Sequence, residues 1–258
     1  MRPLLAILLL ATVVGCGDSR LYDERRMSPG YRSGNVEDDY TSNGERGQLS
    51  ITEINWVGSV EQVEDGFEYD PDDVYIEFLN KHFRPIHATG WQIRIDVSDG
   101  TYGGHDEHFA TYILPARENG QPIESNEYVV LTNRLDGAVA EPDFVIPDFR
   151  LPRDHFEITI RDLDNRLIEG AGSSHQDVFA GSWDLVTVRT MERVQLIFSN
   201  QGSRESSWHH YSLNDWDGAL HDSLRSGIAE PYRARTFGTP GGPNTPDYSG
   251  NTSAGSTD

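Results

Sequence analysis

The chain has 258 residues, with 42 acidic against 21 basic side chains, a formal net charge of −21 and a single cysteine. That acidity argues against bare nucleic acid as a partner, because duplex binding rests on Lys and Arg displacing counterions from phosphates, and it opposes docking onto anionic lipid headgroups. One thiol makes no intrachain disulfide, so a folded domain must be held by its core alone; the length allows one fair-sized domain or two small ones.

At the start of the chain, Arg2 precedes an apolar run from Leu4 to Val14 that ends in Val13-Val14-Gly15-Cys16. The run is of signal-peptide length and falls short of the roughly 20 residues that cross a bilayer core. Val13-Val14-Gly15-Cys16 resembles a bacterial lipobox. The small Gly15 suits cleavage, and the Cys16 thiol can accept a diacylglycerol. By this resemblance to bacterial lipoproteins, residues 1–15 are a signal peptide and the mature protein begins at Cys16. It is then lipid-anchored at the cell envelope, in the outer membrane by default, periplasmic or surface-exposed.

Residues 16–47 follow as acylated cysteine and tether, rich in Ser, Gly, Asn, Arg and Asp without sustained periodicity. A flexible chain of about 30 residues reaches roughly 30 Å, enough to hold a domain clear of a lipid surface. Residues 246–258 have the same character and are expected to be a disordered tail. Once signal peptide, tether and tail are set aside, 33 acidic and 15 basic residues remain, so the charge belongs to the domain at 48–245.

Within that domain short strand-like segments follow one another. Leu49 to Ile54 alternates apolar and polar, the period of a half-buried strand. Val74 to Leu79 is aromatic and β-branched. Trp91 to Val97 places Trp91, Ile93, Ile95 and Val97 on one face. Phe109 to Leu114, Tyr128 to Thr132, Phe156 to Ile160 and Arg193 to Phe198 repeat the theme. Turn formers separate them at Asp99-Gly100, Glu118-Asn119-Gly120, Asp136-Gly137, Asp164-Asn165 and Asn200-Gln201-Gly202. The best helix candidate is short, Leu213 to Leu224. This pattern predicts an all-β sandwich or barrel.

Four pieces, in order, resemble the lamin-tail domain. They are Ile51-Thr-Glu-Ile54; Tyr75-Ile-Glu-Phe-Leu-Asn80 followed by Gly90-Trp91-Gln-Ile93; Leu114-Pro115-Ala116 with Glu127 to Leu131; and Met191-Glu192-Arg193-Val194 with a closing Thr239-Pro-Gly-Gly-Pro-Asn244. The resemblance implies an immunoglobulin-like β-sandwich of lamin-tail type with loop insertions near 99–108, 133–155 and 200–235. In that family these pieces are structural. Trp91 reads as a core anchor across the sandwich. Glu77 and Asn80 are expected at a strand end, satisfying turn backbone groups. Glu192 and Arg193, being adjacent, face opposite sides of a strand and make two separate pairings. Thr239 to Pro243 cannot continue a ladder and marks where the fold stops.

Glu61 to Glu77 holds eight acidic residues and no basic one. Asp70, Asp72 and Asp73 lie there on a Pro-containing turn, and hard oxygen ligands on a loop are what Ca²⁺ requires. The spacing is not that of an EF-hand. Calcium at these three aspartates is the one cofactor candidate. His105-Asp-Glu-His108, after Gly103-Gly104, reads as a loop with no third ligand fixed by spacing, and His209-His210 lack a recognisable partner. No nucleophile elbow or phosphate-binding loop is present. Spacing alone also cannot reveal a glycosidase carboxylate pair.

These readings give a non-enzymatic lipoprotein that displays a binding or scaffolding domain to an envelope protein or glycan, with contacts expected on the loops at 61–73, 99–108 and 200–235. The alternatives are an accessory module of a secreted hydrolase or nuclease system and a metal-dependent envelope enzyme.

Overall fold

A computed structural model describes residues 46–98, 105–184, 186–194, 201–212 and 222–246. The signal peptide, Cys16, nearly all of the tether, the tail beyond residue 246 and most of the helix expected at 213–224 lie outside the described residues. Asp222 to Leu224, the end of that span, is helical.

The chain is an all-β sandwich. Its fifteen described strands are β1 (Leu49–Asn55), β2 (Ser59–Val63), β3 (Gly66–Asp70), β4 (Tyr75–Asn80), β5 (Gln92–Ser98), β6 (Asp106–Ile113), β7 (Tyr128–Thr132), β8 (Phe144–Val145), β9 (Phe156–Arg161), β10 (Leu167–Ser173), β11 (Ser182–Trp183), β12 (Val188–Arg189), β13 (Met191–Arg193), β14 (Trp208–His210) and β15 (Thr236–Phe237). A short helix, α1, spans Glu230–Arg233. A six-stranded sheet in the order β14-β13-β1-β4-β7-β8 faces a four-stranded sheet in the order β10-β9-β5-β6. Two small sheets, β11-β12-β15 and β2-β3, lie outside this pair.

The core follows from period-two alternation. β9 reads buried and half-buried in strict turn, sending Phe156, Ile158 and Ile160 inward. Those residues meet Ile51, Ile54, Ile76, Phe78, Val129 and Leu131 of the facing sheet in one apolar cluster. Trp91, Ile93 and Ile95 share the face expected of them and join it. Val97 does not, because a register shift between Ile95 and Asp96 in the pairing with β6 breaks the alternation. Trp91 is the largest of the fully buried side chains. Trp91→Ala is expected to cost about 3–5 kcal/mol, read from the midpoint of denaturant unfolding.

β1 departs from the half-buried expectation, since all seven of its residues are buried. One face packs in the core; the other is roofed by the end of the chain. Ile228 and Tyr232 settle with Ala138 and Val139 onto Tyr75 and Val130 of the six-stranded sheet. Residues 133–155 are likewise packed rather than free, contributing Phe144, Phe149 and Leu151 to the core. The acidic run is also ordered differently from a solvated loop. β2 and β3 form a hairpin, whose Val60 packs with Val57 and Val188. Thr236 Oγ1 holds Val60 at both ends, accepting from its N–H at 2.8 Å and donating to its carbonyl at 3.2 Å.

Candidate functional site

The densest group of ionisable side chains is a row of three glutamates across the six-stranded sheet. Glu192 on β13 and Glu77 on β4 each pair in register with Glu53 on β1. A β-bulge between Ile51 and Glu53 sets the glutamate on the outer face, beside its two neighbours. All three have no solvent exposure at all. Like charges this close, out of water, are unfavourable unless donors or protons compensate them.

The compensating donors come largely from the closing segment, Gly238 to Thr245. Glu53 Oε1 accepts from the Tyr75 hydroxyl at 2.8 Å, Thr190 Oγ1 at 2.5 Å and Thr239 N at 3.0 Å. Glu77 accepts from Thr52 Oγ1 at 2.6 Å and from Gly241 N at 2.7 Å. Glu192 Oε2 accepts from Thr245 through both its N–H, at 3.1 Å, and its hydroxyl. Thr239 Oγ1 lies 3.3 Å from Glu53 Oε2 and 3.0 Å from Glu192 Oε1. One hydroxyl proton cannot serve both carboxylates. A proton carried by Glu192 and donated to Thr239 Oγ1 satisfies both contacts.

The electrostatics agree with that assignment. Burial, then the charge on Glu53, pushes Glu192 up to about 8. The same two causes raise Glu77 well above the usual carboxylate range. Burial also raises Glu53, opposed by hydrogen bonds from Thr190, Thr239 and Tyr75. Glu192 thus holds a proton near neutral pH, and Glu53, which accepts from the most donors, is the member of the row best placed to carry a charge. Close approach of the closing segment needs glycine at 238, where a Cβ would collide with the Tyr75 hydroxyl and Glu53 Oε1. Asn244 completes the closure, donating to the carbonyls of Thr52 at 2.8 Å and Arg193 at 2.9 Å.

The row corrects two sequence expectations. Glu77 sits in the middle of β4, not at a strand end, and its carboxyl bonds the closing segment. Residues 239–243 do more than stop the fold, since the N–H groups of Thr239 and Gly241 donate to the glutamate row. Asn80 does serve turn backbone, donating to the carbonyls of Arg84, Ile123 and Glu124 and accepting from His82 N. Glu192 and Arg193 do pair separately. Arg193 lies 3.3 Å from Glu169, donates to the Ile51 carbonyl and stacks over Trp208.

The three aspartates of the calcium candidate share a turn but not a centre. Asp73 is buried and accepts from Ser59 Oγ at 2.6 Å and Ala138 N at 2.7 Å; burial, the largest effect, raises its carboxyl. Asp70 pairs with Arg134 at 2.6 Å and caps the N–H of Asp72. Asp72 is exposed and 4.0 Å from Arg153. A cation drawing all three together would have to break bonds that tie the turn to residues 134–138. Melting curves in millimolar Ca²⁺ and in chelator are therefore expected to coincide; a rise of several degrees with calcium would show that the turn rearranges around the ion.

His105 to His108 is not wholly a loop, because Asp106 to His108 open the edge strand β6. There His108 lies 3.6 Å from Asp96, while Asp106 accepts from Ser174 Oγ and lies 3.2 Å from His175. Burial raises Glu157, helped by the charges of Asp106 and Asp96. His209 is buried and 4.0 Å from Glu192, a neighbour that spacing did not reveal. Among the described residues no three His, Cys, Asp or Glu side chains are arranged to hold a metal ion, and no helix is long and apolar enough to cross a membrane.

Compared with known proteins, the chain matches no family model and no curated protein.

Proposed function

We propose that this chain is a lipid-anchored, non-enzymatic envelope protein that displays a lamin-tail-like β-sandwich as a binding or scaffolding module. The observation that carries the reading is where three of the four lamin-tail-like pieces come together. Glu53 comes from the first, Glu77 from the second, and Glu192 and the closing Thr239 to Asn244 from the last. Far apart in sequence, they form one hydrogen-bonded assembly across adjacent strands. The assembly is sealed from solvent, so its carboxylates hold the fold shut and present nothing to a substrate.

Anchoring rests on Val13-Val14-Gly15-Cys16, with Cys16 as the lipidated residue. The acyl chain fixes the location, and the tether raises the module's effective concentration near its neighbours. The exposed surfaces left for partners include the β2–β3 hairpin, where Trp183 stacks on Tyr69 at 4.6 Å, and the outer edge of β6, which pairs with β5 alone among the described residues. Labelled palmitate should enter the wild-type chain in its producing cell and not a Cys16→Ser variant. A chain that stays unlabelled and soluble would overturn the anchor. Affinity capture with the anchored protein, followed by identification of envelope proteins or glycans lost when the hairpin is altered, tests the display role.

A further inference from the structure

The register of β6 shows which of its backbone groups stay open. The strand ends the four-stranded sheet and, among the described residues, pairs with β5 alone. Just past its end, the Leu114 N–H donates to the Trp91 carbonyl, toward β5. Antiparallel ladders alternate, so Tyr112 and Ala110, opposite Ile93 and Ile95, turn their backbone groups the same way. Thr111 and Ile113 then turn theirs outward, away from β5. Their side chains are exposed, while those of Ala110 and Tyr112 are half-buried. The strand contains no lysine or proline, two residues that commonly blunt an edge.

The strand is also polarised along its length. Phe109 is the extra residue of a bulge, since Ala110 stands opposite Ile95 and His108 opposite Asp96. On one side of it Ala110 to Ile113 is regular and uncharged. On the other, Asp106 and Glu107 are exposed, and Asp96 and Glu157 stand in register on β5 and β9. The permanent cation paired there among the described residues is Arg94, 2.7 Å from Asp96. His108 lies 3.6 Å from Asp96 and His175 lies 3.2 Å from Asp106. Burial raises the Glu157 carboxyl, and the charges of Asp106 and Asp96 raise it further. A negative field thus remains at this end of the edge.

We propose that β6 takes up an extended basic segment of a partner protein as an added antiparallel strand, bonded to the backbone of Thr111 and Ile113, with apolar side chains beside Ile113 and Lys or Arg beside Asp106 and Glu107. Backbone bonds supply the docking, and the acidic end sets the choice of partner. The same end disfavours a second copy of this chain, which would bring a net charge of −21 against an equal one. The inference deepens the display role and rests on it. It is tested on the purified full chain, so its failure would leave the anchor standing and the β2–β3 hairpin as the surface for partners.

The probe is a dye-labelled, amidated peptide of sequence Val-Thr-Val-Thr-Lys-Thr-Lys, read by fluorescence anisotropy at pH 7 and constant ionic strength. It should bind saturably and slow hydrogen exchange at the Thr111 and Ile113 amides. Replacing its lysines by glutamate should abolish binding. N-methylation at alternate residues blocks one edge of the peptide at a time; one set should abolish binding and the other should spare it. Thr111→Pro removes an outward N–H while leaving the bonds of Ala110 and Tyr112 to β5, and should weaken the peptide at least tenfold. Should that variant fail to fold, Asp106→Asn combined with Glu107→Gln alters only exposed side chains and should weaken it at least fivefold. Absence of binding, equal binding of the lysine and glutamate peptides, equal effects of the two N-methylated sets, or undiminished binding in the Asp106→Asn, Glu107→Gln variant would overturn the proposal. So would a dimer in sedimentation that Thr111→Pro dissolves, since the edge would then belong to a second copy.

Discussion

Raising the pH from 6.5 to 9 should destabilise this protein, although its ordinary surface carboxylates are fully ionised throughout that range. The reason is the row of buried glutamates. Glu192 is pushed from 4.5 up to about 8 in the folded chain. The folded state therefore holds this proton more tightly than the unfolded state. Its contribution is fully present below the unfolded value of 4.5 and is lost as pH rises through about 8. Between those limits one proton is worth about 1.4 kcal/mol per pH unit, so the loss from pH 6.5 to 9 is on the order of 2 kcal/mol. Glu77, raised in the same direction, adds to the slope. Denaturant midpoints at a series of pH values measure it. Glu192→Gln keeps the shape and removes the titration, so its curve should be flatter than wild type. A wild-type profile that is level or rising across this range would mean that the row is ionised in the folded state.

Glu53→Ala should be the most damaging single change in the row, costing about 3–5 kcal/mol. It strips the acceptor from the Tyr75 and Thr190 hydroxyls and from Thr239 N–H, all in a buried setting. The hydroxyls can turn elsewhere; the backbone N–H cannot. Glu77→Gln, by contrast, replaces a group that burial and the charge on Glu53 push toward its neutral form, and it should cost under about 1 kcal/mol at neutral pH. Glu53→Gln set beside Glu77→Gln, both measured by chemical denaturation, reads out which glutamate carries the charge. Equal losses would contradict the assignment of Glu53 as the ionised member.

The alternation that made β5, β7 and β9 legible is a local property, and it placed Trp91, Ile93, Ile95, Ile158 and Ile160 in the core correctly. Turn chemistry was equally local: Asn165, expected in a turn, takes a left-handed φ of 61° that asparagine tolerates. The β2–β3 hairpin escaped because its apolar members, Val60 and Tyr69, are diluted among carboxylates whose repulsion looked like a reason to stay solvated. β10 escaped because Gly170-Ala171-Gly172 lacks the side chains that announce a strand. The glutamate row was out of reach for another reason. Glu53, Glu77 and Glu192 were each visible within a resemblance, but their meeting depends on the register of three strands paired over long distances, and on a bulge that no pattern signals. Where Thr239 to Thr245 would lie was equally non-local. Cys16, the clearest single signal in the sequence, lies outside the described residues.

The bond from Thr239 to Glu53 spans 186 positions, and that separation governs how the molecule can be made. A polypeptide that emerges amino end first exposes β1 long before its cover exists. Loop-closure entropy must be met before these last contacts repay it, and topologies dominated by distant pairings mature slowly. During synthesis the outer face of β1 thus remains wet and Glu53 ionised, and only arrival of the final dozen or so described residues lets the row take up protons and dry. A chain cut short before Gly238 is expected to leave that sheet open rather than give a slightly weakened domain.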